Sequence, residues 1–223
     1  MKHFFILPLI SWMSATACFA AEESGISLRF LAERAPSNLG EVVLAVGDKL
    51  SSTFALSSEN LSDPIPAPAR KLVLRLKEKQ IILAEISLPE NGNAFIVLLI
   101  PKIKGGYQPV VINSADVNFK GGDVYFYNHA DKPVIGHVGA AKFILKPGEG
   151  ELLHPAGAKE GTYYDVDFGV RETEGDRLLR SLRWPVATRS RSYVFFYQNP
   201  EKNRIDFRAV DEFVAPPDPP KSP

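Results

Sequence analysis

The chain is poor in sulfur and carries no excess of charge of either sign. Its 223 residues include one cysteine, Cys18, and two methionines, Met1 and Met13. Lysine plus arginine number 26, as do aspartate plus glutamate, so the formal net charge is zero. A balanced charge gives no electrostatic reason to expect a nucleic-acid partner. After the N-terminal segment no run approaches the roughly 18 apolar residues of a membrane-spanning helix, so we expect no transmembrane segment.

The N-terminal segment, residues 1–20, has the parts of a secretory signal peptide. Lys2 supplies the charge, Phe4–Met13 is mostly apolar, and small side chains stand at Cys18 and Ala20. These small residues occupy the third and first positions before a cleavage after Ala20. We therefore predict export, to the periplasm or out of the cell.

A second interpretation of the same segment is lipidation. The sequence Ala15-Thr16-Ala17-Cys18 resembles a permissive lipobox, although the usual leucine is replaced by Ala15. Cys18 would then anchor an outer-membrane lipoprotein. Cleavage after Ala20 would instead leave a chain without sulfur, and therefore without disulfides, a cysteine nucleophile, a cysteine-ligated metal or a blue-copper site.

The strongest periodicity in the chain is two, which is typical of β-strands. Lys71–Leu76 and Tyr164–Val170 alternate polar and apolar residues, whereas Val42–Val46 and Phe95–Ile100 are continuous apolar runs. Continuous runs predict central strands covered on both faces. The only hint of helix is a turn near Asp176–Leu179. We predict an all-β fold, an antiparallel β-sandwich of immunoglobulin-like type.

The order of predicted strands suggests an internal duplication. Three segments of the first half have counterparts of the same order in the second: Ile86–Pro89 with Leu182–Pro185, Phe95–Ile100 with Tyr193–Gln198, and Tyr107–Ile112 with Arg204–Val210. This predicts two lobes, 21–113 and 114–214, followed by a proline-rich extended tail, 215–223. One continuous sandwich with similar hairpins remains an alternative.

Several strand and turn segments of the second half resemble a group of uncharacterised exported bacterial β-sandwich proteins. The segments are Gly122–Asn128, Lys132–Val134, Leu145–Gly148, Arg183–Pro185 and Tyr193–Tyr197. The resemblance covers mainly residues 114–214. It implies an exported β-fold and assigns no catalytic residue.

Histidines give little reason to expect a metal or a cofactor. His129–Pro133 is predicted to be a hairpin loop that pairs Tyr125–Asn128 with Val134–Val138, which separates His129 from His137. His154 stands in another turn, before a proline. The chain also lacks the nucleophile-elbow, phosphate-loop and dinucleotide-binding motifs, so we expect no catalytic residues and no enzyme.

One pair of carboxylates supports an alternative function. Asp165 and Asp167 lie on the same face of one predicted strand, about 7 Å apart, within the range of inverting glycosidase pairs. A glycan-active hydrolase is therefore the second hypothesis. A strand with one solvated face has the same pattern, and neither residue has an evident partner that would raise its pKa.

The leading hypothesis is a non-catalytic binding or scaffold module of the cell envelope, with an envelope protein or glycan as partner. Five arginines fall within residues 177–191, and six of the seven tyrosines follow residue 120. Arginine forks suit carboxylate, sulfate or phosphate groups, and aromatic faces suit sugars. Binding is predicted at Tyr125, His137, Arg183 and Arg191.

Overall fold

The computed structural model describes residues 25–199 and 202–214. Sixteen strands, and no helix, account for the regular structure of these two ranges, which confirms the all-β prediction. No helix in the described part of the chain is long and apolar enough to cross a membrane. The predicted signal peptide with Cys18, and the predicted tail, lie outside the described residues.

The first lobe is a sandwich of two four-stranded sheets with strand orders β4-β1-β7-β8 and β3-β2-β5-β6. Its strands β1 to β8 span Ser27–Ala32, Val42–Val46, Lys49–Leu50, Ile65–Pro66, Lys71–Leu76, Ile82–Ser87, Ala94–Pro101 and Tyr107–Asn113. The alternating apolar residues of both sheets meet in one core, which includes Phe30, Leu44, Leu74 and Phe95.

The second lobe is a sandwich of the same kind, with strand orders β12-β9-β15-β16 and β11-β10-β13-β14. Its strands β9 to β16 span Val124–Asn128, Val134–Val138, Ala141–Leu145, Gly150–Leu153, Tyr163–Glu172, Gly175–Pro185, Ser190–Asn199 and Arg204–Phe213. Its core is rich in phenylalanine, and the Phe126 and Phe143 rings stack with their centroids 4.3 Å apart.

The two lobes repeat one topology strand for strand. Each strand of the second lobe takes the place of the strand eight positions earlier in the first. Both lobes depart from a purely antiparallel sandwich in the same way, since β1 pairs with β7, and β9 with β15, in parallel. The chain therefore adopts the two-lobe alternative, and its halves share one architecture.

The lobes stack through one sheet of each, which we call the inner sheets: β4-β1-β7-β8 and β12-β9-β15-β16. Along β7, Phe95, Val97 and Leu99 enter the first core, whereas Ile96, Leu98 and Ile100 face the second lobe. This two-sided burial confirms that Phe95–Ile100 is a central strand and explains its unbroken apolar run. The other sheet of each lobe is its outer sheet.

Two local predictions are wrong. Segments Val124–Asn128 and Val134–Val138 do not pair, because β9 belongs to the inner sheet and β10 to the outer sheet. The buried Asn128 amide stabilises this crossing by donating hydrogen bonds to the carbonyl oxygens of Lys132 and Leu145. The suggested turn at Asp176–Leu179 lies within strand β14. In both places the sequence pattern identifies exposed and buried faces but not the partner strand.

Candidate functional site

The predicted binding residue Arg191 is buried where the lobes meet. Its Nε donates to Glu212 Oε2 at 2.6 Å, and both side chains are only 10% exposed. Its Nη1 donates to the carbonyl oxygens of Ser114 and Phe119, and the guanidinium lies 4.5 Å from the centre of the Phe119 ring. Arg191 thus holds the segment that connects the lobes and presents no charge to a surface.

Glu212 is the centre of a charged cluster that joins the lobes. It also accepts hydrogen bonds from Tyr193 Oη at 2.7 Å and, across the lobe boundary, from Arg29 Nη1 at 2.9 Å. Burial acts to raise the pKa of Glu212, but the hydrogen bonds from Arg191 and Tyr193 and the two positive charges outweigh it, so the pKa lies below its usual value. Burial strongly raises the pKa of Tyr193. Glu212 is therefore ionised and Tyr193 neutral at neutral pH, and the cluster has a structural role.

The predicted binding residue Tyr125 also lies at the lobe contact. Its ring packs near Phe119, with centroids 6.5 Å apart, and burial raises the pKa of its hydroxyl. Tyr125 and Arg191 are therefore on the inner-sheet side of the second lobe. His137 and Arg183 are on the opposite side, so the structure divides the four predicted residues into two pairs.

His137 belongs to a polar row across three strands of the outer sheet of the second lobe. His137, Asp167 and Ser181 are direct cross-strand neighbours on β10, β13 and β14. His137 Nε2 lies 3.0 Å from one oxygen of Asp167, and Ser181 Oγ donates to the other at 2.5 Å. The hydrogen bond from Ser181, followed by that from His137, lowers the pKa of Asp167.

The order of these three residues does not suit nucleophilic catalysis. In a catalytic triad the histidine stands between the serine and the carboxylate and takes the serine proton. Here Asp167 stands in the middle, and the Ser181 hydroxyl donates to it rather than to His137. The row fixes the orientation of the imidazole, whose other nitrogen, Nδ1, lies 3.1 Å from the carbonyl oxygen of Gly139.

The alternative hydrolase site also lacks the required chemistry. A glycosidase needs one carboxyl group that stays protonated, through burial or a like-charged neighbour. Asp165 is 81% exposed and lies 3.4 Å from Arg183 Nε, and the pKa of Asp167 is lowered. Asp167 is thus not suited to the role of the protonated acid, and Asp165 is an exposed ion-pair partner of Arg183.

A groove of about 510 Å³ crosses the outer sheet of the second lobe beside this polar row. Its walls include Ile144 and Leu178, which are 55% and 63% exposed. A β-bulge at Phe168/Gly169 turns Leu178 outward, and Gly169, which has no side chain, lies beside Ile135. The groove has the size and mixed lining of a ligand site.

Positive charge lies along the groove. Lys142 has no ion-pair partner among the described residues, whereas the guanidinium of Arg171 is held by Asp176 at 3.0 Å. Arg177, also at the groove, lies 3.3 Å from Glu172. The groove therefore combines exposed apolar walls with one free and two paired cations.

The arginines of residues 177–191 do not gather into one cleft, although Arg177 lies at the groove. Arg177, Arg180 and Arg183 lie along β14, which is an edge strand of the outer sheet. Long charged side chains on an edge strand hinder pairing with another chain. Arg189 is exposed in the loop before β15.

The three described histidines each have a carboxylate partner, and they lie apart. His129 Nδ1 lies 2.6 Å from the buried Glu33 of the first lobe, and His154 Nδ1 lies 2.8 Å from Asp123. Within residues 25–199 and 202–214 no three His, Cys, Asp or Glu side chains form a group suited to a metal ion.

Comparison with known proteins found no protein-family model that matches the chain, and no curated protein sequence that matches it.

Sequence reasoning missed the apolar walls of the groove, although a signal for them exists. In Ala141–Leu145, Phe143 and Leu145 point into the core, so Lys142 and Ile144 point outward. A large aliphatic side chain at an outward position breaks the alternation of a half-buried strand. Such a break marks an exposed apolar position that solvation alone does not explain.

Proposed function

We propose that this chain is a non-catalytic binding protein of the cell envelope, exported by its N-terminal segment, and that its partner binds the outer sheet of the second lobe. The observation that carries the proposal is the groove of about 510 Å³, with exposed Ile144 and Leu178 beside the free cation Lys142. The kinship with exported bacterial β-sandwich proteins belongs to the same proposal.

The architecture supports a role in holding a partner rather than transforming it. The inner sheets bury apolar side chains such as Leu98 and Phe195 against each other, and the charged cluster around Glu212 crosses the same boundary. The second lobe thus packs on the first through its inner sheet, and its outer sheet is turned away from the first lobe. The hydrogen bonds from Ser181 and His137 lower the pKa of Asp167, so the polar row carries an ionised carboxylate at neutral pH.

The test is co-sedimentation of the purified protein with peptidoglycan sacculi and, separately, with envelope vesicles that carry membrane proteins. The variant Ile144→Glu with Leu178→Glu should lose binding, because both side chains line the groove and both are exposed. The matched control is Ile81→Glu with Ile82→Glu, which adds the same two charges at positions 52% and 55% exposed, at the start of β6 in the outer sheet of the first lobe.

The control should bind as the wild type does. Equal binding by the double groove variant, or the absence of wild-type binding to both preparations, would contradict the proposal. Binding to sacculi alone identifies a glycan partner, and binding to vesicles alone identifies a membrane component. Arg191→Ala is unsuited to this test because it removes a buried contact between the lobes.

The lipoprotein alternative concerns how the protein is attached. Mass spectrometry of the processed N-terminus distinguishes the two interpretations. A chain that begins at Ala21 indicates a soluble exported protein, and one that begins at an acylated Cys18 indicates a lipid anchor.

A further inference from the structure

A second cavity lies at one end of the second lobe, between its two sheets. Its volume is about 150 Å³, and its lining includes Tyr164, Trp184, Pro185, Ser192 and Asp211. The cavity is separate from the groove on the outer sheet, with which it shares no lining residue. We propose that it binds a single neutral sugar ring.

The duplicated first lobe shows what fills this position when there is no cavity. Phe95 pairs across the ladder with Leu28 and Asn113, as Ser192 pairs with Val124 and Asp211. Leu28 and Val124 are the first core residues of the equivalent strands β1 and β9. The ring of Phe95, which is 1% exposed, occupies the space in the first lobe, and the small Ser192 leaves it open in the second.

The outer sheet, on the other side of the cavity, also differs between the two lobes. Tyr164 faces Trp184 across the ladder, where the first lobe has Arg70 beside Leu88. Arg70 donates hydrogen bonds to carbonyl oxygens of the neighbouring turn, including that of Gly92 at 3.0 Å, and ties that end together. The second lobe has two aromatic side chains there and no such tie. One fold thus has a closed end in one copy and an open, aromatic end in the other.

The aromatic walls of the cavity keep free hydrogen-bonding groups. The Trp184 ring is held by an edge contact with Phe168, with centroids 5.6 Å apart. The indole N–H of Trp184 and the hydroxyl of Tyr164 have no hydrogen-bond partner among the described residues. Half-buried Trp and Tyr side chains ordinarily place these polar ends against an acceptor or donor, which a ligand can supply.

The inner-sheet side of the cavity is polar where the core of the lobe would otherwise continue. Towards the centre, β15 contributes the core residues Val194 and Phe196, but its next inward position is Ser192. Ser192 Oγ donates to Asp211 Oδ1 at 2.5 Å, which leaves the second oxygen of Asp211 free to accept. The lining therefore offers a carboxylate acceptor opposite two aromatic rings.

This combination selects a sugar over other small ligands. A pyranose presents C–H groups that pack on aromatic faces and hydroxyls that donate to a carboxylate. The cavity lining includes no lysine, arginine or histidine, and Asp211 is its charged residue, so phosphate, sulfate and carboxylate ligands are disfavoured. An apolar cavity of about 150 Å³ accommodates benzene. A pyranose is larger than benzene, so part of the ring fills the space and its outer substituents extend through the open end of the lobe.

The test uses methyl glycosides of glucose and of N-acetylglucosamine, titrated while tryptophan emission is recorded. Of the two tryptophans, Trp12 belongs to the N-terminal segment that the proposed processing removes, so Trp184 is the only tryptophan of the processed protein. A ligand of about a dozen atoms in an open site should bind with a dissociation constant on the order of 1 mM. Saturable quenching or a blue shift with either glycoside supports the proposal.

Two variants and a control locate the site. Ser192→Phe introduces the phenylalanine that the first lobe has at the equivalent position, Phe95. It should fill the cavity and weaken binding at least about tenfold while the lobe stays folded. Asp211→Asn keeps the shape at an exposed position and should weaken binding about tenfold through loss of a charged acceptor. Tyr163→Phe, next to the cavity but outside its lining, should bind as the wild type does.

Three results would overturn the inference. The first is that tryptophan emission shows no saturable change with either glycoside at about twenty times the expected dissociation constant. The second is that both Ser192→Phe and Asp211→Asn bind the glycosides as tightly as the wild type. The third is that benzene or indole binds more tightly than either glycoside. The outcome is distinguishable from that of the proposed function. If Ser192→Phe loses glycoside binding but still sediments as the wild type does, the sugar site is separate from the groove. The groove variant, Ile144→Glu with Leu178→Glu, should lose sedimentation while its glycoside titration stays unchanged.

Discussion

Glu212→Gln tests whether the buried charged cluster holds the two lobes together. The wild-type carboxylate compensates Arg191, which is 10% exposed, and accepts hydrogen bonds from Tyr193 and Arg29. Removing one charge of a buried pair leaves the other uncompensated and costs about 3–5 kcal/mol in the free energy of unfolding. For a chain of this size the midpoint of thermal unfolding should fall by about 6–20 °C.

The effect of Glu212→Gln on the free energy of unfolding should depend on pH. Because the folded-state pKa of Glu212 lies below its ordinary value of 4.5, the carboxylate contributes stability above pH 4.5 that is lost as the pH falls through the folded-state pKa. The difference in stability between wild type and Glu212→Gln should therefore be largest above pH 4.5 and shrink below it. Denaturant unfolding at several pH values, followed by circular dichroism, measures it.

Two comparisons make the test of Glu212 sharp. Glu172→Gln removes a surface carboxylate that pairs with Lys132 and Arg177, and it should lower the stability much less than Glu212→Gln because solvent screens an exposed ion pair. Glu212→Leu combined with Arg191→Met removes both buried charges and should recover much of the stability, because apolar replacement of a whole buried pair is often neutral. A cost for Glu212→Gln no larger than that of Glu172→Gln would refute the reasoning.

Three further predictions concern the second lobe. Gly139→Ala should lower the free energy of unfolding by at least about 1 kcal/mol more than Gly47→Ala. Both glycines have φ near +60°, but only the methyl group added at position 139 meets a backbone oxygen. Equal losses of stability in denaturant unfolding would contradict this. Phe126→Ala should lower the free energy of unfolding by about 3–5 kcal/mol, because it empties a fully buried aromatic site, and a loss below about 1 kcal/mol would be inconsistent with that packing. Ser181→Ala should raise the pKa of Asp167 towards its ordinary value of 3.8, because it removes the hydrogen bond that lowers it most; an unchanged NMR titration would disprove this.

Much of the strand content could be predicted, because a strand repeats its side-chain direction every two residues. Lys71–Leu76 alternates in sequence and alternates in burial, and Tyr163–Glu172 buries Val166, Phe168 and Val170 while its aspartates face outward. The repeated order of hairpins also pointed to two lobes. These patterns depend on neighbours in sequence, which a single chain displays directly.

The binding residues were harder to place, because the same residue type serves surfaces and interfaces. Arg183 and Arg191 are eight positions apart and look alike in sequence, yet Arg183 is exposed on an edge strand and Arg191 is buried against Glu212. Whether such an arginine is exposed or buried depends on the face of the inner sheet that points away from the core of its own lobe. That face is buried only because the lobes stack. Glu33 and Glu212 escaped notice for the same reason.

By itself the sequence determined most of the strands and which of their side chains face inward, and it suggested, without deciding, that one half of the chain repeats the other. Only the tertiary structure decided which strands share a sheet, that the inner sheets bury a second face, and that Ser192 opens a cavity where Phe95 closes one. The physical reason is range: alternation is a local property of the backbone, whereas pairing and stacking depend on contacts between residues far apart in the chain.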